Sequence, residues 1–175
     1  KLADRLGALL ATTVMANGLF NGNPWALGIC GGFASPRTAE LIGEADVVVA
    51  FGAGLNHWTL HGGRMLDPDA MLVQVEREGR ATSDRVDLCV PGDAAETARA
   101  LLDGTIARGL GGSDWRAHVA PDLPRIGWPY QQYRDAGRDD RIDPRTLTRE
   151  LAGLLPPQRT IVTDGGHFIA WPAMY

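Results

Sequence analysis

The stretch Ala45-Asp46-Val47-Val48-Val49-Ala50-Phe51-Gly52-Ala53-Gly54 sets the tightest limit on what this chain can become. A short apolar run between a charged residue and a Gly-x-Gly turn is the pattern of a parallel strand buried on both faces. It predicts the central strand of a sheet. Glycines at its carboxyl end allow a tight turn and close backbone approach, and open α/β sheets gather ligands beyond that end. Residues 52–56 are therefore the first candidates for a small-molecule site.

The surrounding sequence predicts the remaining elements in order. A helix opens at Leu2, and a short strand ends in Thr12-Thr13. From Asn17-Gly18 to Gly31-Gly32 the density of Gly, Asn and Pro predicts a loop with no regular element. Ser35-Pro36 caps and opens a helix running to about Glu44. Met71-Leu72-Val73-Gln74-Val75 reads as a strand with Glu76 at its carboxyl end, and the run from Val86 to Val90 as another, closed by Pro91-Gly92. Asp93 caps a helix that finishes at Gly109. Strands alternating with helices give an α/β class: an open, mainly parallel, Rossmann-like sheet with helices on both faces.

Residues 111–141 lose this pattern and interleave Trp115, Trp128, Tyr130 and Tyr133 with Gly, Pro, Arg and Asp. That composition predicts a linker held to a surface by aromatic anchors. Beyond it, Asp143-Pro144 starts a helix that Pro156-Pro157 stops, and Thr160-Ile161-Val162-Thr163 reads as a strand ending in Asp164-Gly165-Gly166-His167. The expected organisation is a central domain over 1–110, a linker over 111–141, and the start of a further domain over 142–175. Both ends read as cut from a longer protein.

Composition bounds the partners. With 175 residues, 45% hydrophobic, the chain can bury one core. A net charge of -4 and no apolar run near the ~20 residues of a membrane span argue against nucleic acid and membrane partners. Cys30 and Cys89 match neither a disulfide framework nor a metal-ligand spacing, the usage of a reduced, cytoplasmic protein. No metal ligand set is read from this sequence.

Several motifs taken together resemble a known family. Leu27-Gly28-Ile29-Cys30-Gly31-Gly32, Glu44-Ala45-Asp46 leading into Gly52-x-Gly54, Val73-Gln74-Val75-Glu76 and Gly92-Asp93-Ala94 resemble the central domain of thiamine diphosphate-dependent enzymes of the acetolactate synthase and benzoylformate decarboxylase group. Asp143-Pro144 through Asp164-Gly165-Gly166-His167 is similar to the entry into that family's diphosphate-binding domain. The resemblance implies thiamine diphosphate and magnesium as cofactors of the parent, a 2-oxo acid as substrate, and a chain lacking the central domain's first strand; apolar surface left uncovered around Trp128, Tyr130, Tyr133 and residues 168–171 predicts that the piece associates into a homo-oligomer. The resemblance also implies a pyrimidine-binding domain with a Glu upstream and a Gly-Asp-Gly motif with an Asn downstream. Neither occurs in this sequence, so the piece is expected to be inactive alone.

The candidate site residues follow from these motifs. Gly28, Gly31, Gly52, Gly54, Glu76, Asp93, Asp164, Gly166 and His167 are the candidates for facing a cofactor, and His57 and His61 for moving protons near neutral pH. Gly52-Ala53-Gly54 begins a dinucleotide fingerprint, but His57 stands where a third Gly would be, which favours a structural turn. Leu55-Asn56-His57-Trp58 replaces the Arg and acidic residues of the flavin-containing relatives, which argues against flavin adenine dinucleotide. The alternative function is a flavin- or adenine dinucleotide-binding module without lyase chemistry.

Overall fold

In the computed structural model, which describes residues 1–166 and 168–175, every strand pairing within the sheets is parallel. Helix α1 (Leu2–Leu6) leads into β1 (Leu10–Thr12), which pairs with β2 (Ala26–Ile29). Helix α2 (Pro36–Gly43) follows, and β3 (Val47–Phe51), β4 (Met71–Glu76) and β5 (Leu88–Pro91) form a second sheet in that order. Helix α3 (Ala94–Ala107) then packs on β4 and α1. The class is α/β, with a Rossmann-like alternation of parallel strands and helices.

Local chemistry places the helices where the sequence predicts them. The Ser35 side chain accepts the Thr38 N–H at 3.2 Å, and Pro36 stands at the first helical position of α2. Asp93 accepts from Ala95 and Glu96 at the start of α3, and Gly109 takes a left-handed φ of 63° just beyond its end. Asp143 caps α5 (Pro144–Leu154) in the same way, and a last helix, α6, spans Trp171–Met174.

Four expectations about the sheet and its surroundings are corrected. The Val47–Phe51 strand is not central: β4 lies between β3 and β5, and its Leu72 and Gln74 are fully buried, whereas Val47 is 51% exposed. An apolar run signals that a strand is buried, but which strand acquires two neighbours depends on tertiary pairing. Second, the sheet is divided, with β1 and β2 unpaired with β3. Third, the Gly-rich loop contains β2, because Leu27 and Ile29 alternate inward while Gly28, at φ 83°, absorbs a register shift against β1. Fourth, residues 160–163 form no strand. Ile161 and Val162 are exposed and no described segment pairs with them.

Two apolar clusters carry the fold. One joins Leu41 and Ile42 of α2 to Leu27, Met65 and two residues of the 111–141 region, Val119 and Ile126. The other packs Ala50, Leu72, Leu55 and Leu60 under the turn after β3. Residues 111–141 are held against the rest of the chain. A short helix, α4 (Trp115–Val119), carries Arg116, whose guanidinium donates to the Ala8 carbonyl at 2.6 Å, reaches Asp4 at 3.0 Å and covers the Trp25 ring. The Trp128 indole donates to the Phe33 carbonyl at 2.8 Å.

The same region ends in a charge clasp. Asp143, 3% exposed, receives the Arg145 guanidinium through both carboxylate oxygens, at 2.9 and 2.5 Å, and the Ala136 N–H at 3.0 Å. The Arg145 hydrogen bonds hold its carboxyl well below the usual carboxylate range. A depressed folded-state pKa gives stability that is complete above the unfolded value of about 4 and is lost as pH falls below it. Urea midpoints should therefore drop more steeply with acidification in the wild type than in Asp143→Asn, which keeps a capping side chain but no charge. Parallel curves would contradict this account.

Candidate functional site

Three strand ends meet along one edge of the β3–β4–β5 sheet. At the end of β3, Gly52 takes a left-handed φ of 59° that favours glycine, and its N–H bonds the Val75 carbonyl at 3.0 Å. No neighbour lies within 4 Å of the place a Gly54 side chain would occupy. Glu76 ends β4, and its carbonyl accepts from Gly79 and Gly92 at 3.0 and 3.2 Å. Beyond β5, Asp93 takes the N–H groups of Ala95 and Glu96 and the Arg77 guanidinium, at 2.9, 3.1 and 3.0 Å. The structure thus brings Gly52, Glu76 and Asp93 together. Hydrogen bonds from Glu96 and then Arg77 hold the Asp93 carboxyl below its ordinary value, so it stays ionised.

At a second place, where the loops of the two sheets touch, the candidate Gly31 meets the turn that carries His57 and His61. Gly32 N–H donates to the Trp58 carbonyl at 2.8 Å, and Gly31, at φ 84°, lies so close to Trp58 and Thr59 that no side chain fits. Asn56 organises this turn by accepting from Trp58 and Thr59 at 2.9 and 3.1 Å. Trp58, 63% exposed, stacks on Phe33 with ring centroids 5.9 Å apart and planes 4° apart. His57 sits edge-on to Trp58 and against Gly62, and His61 holds a left-handed φ of 50°. Both histidines face solvent.

Gly28 instead lines a cavity of about 140 Å³ with Asn17, Leu27, Ser35, Trp128 and Ala173. Its hydroxyls are already used: Ser35 donates to the Ile126 carbonyl at 2.5 Å and Thr38 to Leu27 at 2.7 Å. Asp164 and Gly166 lie in exposed coil, where Asp164 accepts its neighbour's N–H, from Gly165 at 2.7 Å. His167 lies outside the described residues. Among those described, no hydrogen bond or ion pair ties Asp164 to the strand-end edge.

The fit of the implied cofactors can be judged from these donors. Magnesium needs several oxygen ligands in octahedral array, and no group of three His, Cys, Asp or Glu among the described residues can hold a metal ion. A dinucleotide diphosphate at the start of α3 would meet the Asp93 carboxylate, which already takes the N–H groups of Ala95 and Glu96. The residues described do not fit either group.

Sequence reasoning missed two features of these two places. One is the Phe33–Trp58 stack, which joins loops that follow strands of different sheets and leaves no local pattern. The other is Gln74 with Thr82, which hold the turn after β3. A signal for Gln74 was present, since an amide inside an otherwise apolar strand demands buried partners.

The description "Thiamine pyrophosphate enzyme, central domain" belongs to the family whose sequence model matches residues 1–101. The chain belongs to this family. Among curated relatives, it is 28% identical to a probable sulfoacetaldehyde acetyltransferase of Rhizobium meliloti, over 95% of this chain and 32% of that protein. It is 24% identical to a probable acetolactate synthase large subunit of Methanocaldococcus jannaschii, over 100% of this chain and 30% of that protein. A sulfoacetaldehyde acetyltransferase of Alcaligenes xylosoxydans xylosoxydans is 29% identical, over 95% and 32%. The chain spans about a third of the length of these relatives. Within the central-domain match lie β1 to β5, both meeting places of loops, and every candidate residue except Asp164, Gly166 and His167. No described helix is long and apolar enough to cross a membrane.

Proposed function

We propose that this chain is the central part of a thiamine diphosphate-dependent carboligase or decarboxylase acting on a 2-oxo acid, and that it does not turn over substrate alone. The observation that carries this reading is the central-domain match over residues 1–101, together with relatives whose names describe acetolactate synthesis and acetyl transfer. In the parent, thiamine diphosphate supplies an electron sink for a carbanion derived from the 2-oxo acid. This chain supplies the scaffold and one wall of the site, with residues 1–110 as the central domain, 111–141 as the linker and 142–175 as the entry to the diphosphate-binding domain. Magnesium and the diphosphate belong with ligands beyond Asp164, Gly166 and His167.

The exposed His57 and His61 carry a proton-moving role only where a neighbouring domain closes over the 57–61 turn. Apolar exposure at Tyr130, Phe168 and Ile169, surface that flanking domains of the parent would cover, supports association of this chain into a dimer or higher oligomer. The dinucleotide-binding alternative is disfavoured by Asp93 at the α3 terminus.

The test is to assay pyruvate decarboxylation and acetyl transfer with excess thiamine diphosphate and magnesium, while following cofactor binding by near-ultraviolet circular dichroism. Silence in both, with activity in a longer chain carrying the flanking segments, is expected. Turnover by this chain that His167→Ala abolishes would overturn the reading. Tight binding of flavin adenine dinucleotide without turnover would favour the alternative.

A further inference from the structure

Gln74 is fully buried in the middle of β4, yet all of its amide's partners lie in loops. Its Nε2 donates to the Ala53 carbonyl at 2.9 Å and to Thr82 Oγ1 at 2.7 Å, while its Oε1 accepts the Thr82 N–H at 2.9 Å. Thr82 Oγ1 also accepts the Leu55 N–H at 2.9 Å. One side chain thus ties the turn after β3 to the loop after β4, and Thr82 closes the ring from the other side. Leu55, 5% exposed, plugs the apolar cluster beneath. An amide buried in a strand is costly unless satisfied, so neither loop can leave without stranding the polar groups of the other.

We propose that Gln74 and Thr82 are positioning residues that lock residues 52–55 and 77–82 into one unit, which opens and closes as a whole. A ligand that orders the turn after β3 then orders the loop after β4 as well. The coupling is a property of this edge and holds independently of the substrate class proposed above.

Amide hydrogen exchange on the intact chain tests this. Thr82 is at the surface, so Thr82→Val removes the hydroxyl without emptying the core. Exchange should quicken by about tenfold at Leu55, the scale of one lost hydrogen bond, and by a similar factor at Gly52 and Gly79, whose own bonds to Val75 and Glu76 are untouched. Met71, bonded to Asp46 at the far end of β4, should not change, and Thr82→Ser should restore protection. Acceleration at Leu55 alone, or equally at Met71, would overturn the proposal. In the wild type, the Gly52, Leu55 and Gly79 amides should share one opening free energy and one urea dependence. Separate dependences would likewise overturn it.

Discussion

Gly31→Ala is expected to destabilise the protein by about 3 kcal/mol or more, a large share of the stability of a domain this size. Two costs add. The residue holds φ 84°, which a side chain tolerates poorly, and the new methyl would fall well inside contact distance of the Trp58 carbonyl and the Thr59 backbone. Those atoms belong to a turn whose carbonyl accepts the Gly32 N–H, so relief by movement would break the bond joining the loops of the two sheets. Urea unfolding measures the loss. A cost below about 1 kcal/mol would mean that the 57–59 turn yields easily and does not brace the site.

Leu41→Ala should cost about 3 kcal/mol, within the range for emptying a fully buried leucine position. Leu41 is 0% exposed on α2 and belongs to the same cluster as Leu27, Met65, Val119 and Ile126. The cavity therefore opens where the 111–141 region is seated. Proteolysis between residues 111 and 131 should accelerate at a denaturant level where the β3–β4–β5 sheet is still folded. Uniform acceleration across the chain would show that the 111–141 region shares the stability of the whole unit and has no seat of its own.

Much of the local structure was legible because it rests on short-range chemistry. Ser35, Asp93 and Asp143 each announce a helix start through a side-chain oxygen followed by helix-forming residues, and all three accept backbone N–H groups as predicted. Gly52 marked the strand-end turn because few other residues reach its backbone conformation. β2 was hidden by Gly28, whose presence reads as loop although the flanking Leu27 and Ile29 keep a two-residue period. The strand predicted at 160–163 has suitable composition, but a strand exists only through a partner, and none of the described residues supplies one.

The sequence by itself determined the class of fold, the starts of α2, α3 and α5, the strand-end edge with Gly52, Glu76 and Asp93, and the family. Those properties are written in neighbouring residues. Only the tertiary structure decided that β4 and not β3 is central, that Val119 and Ile126 are core, that Trp58 stacks on Phe33, and that Gln74 holds two loops at once. Each of these joins residues far apart in the chain. Such contacts form because burying apolar surface and satisfying buried amides is favourable in the assembled fold, a balance that no local pattern records.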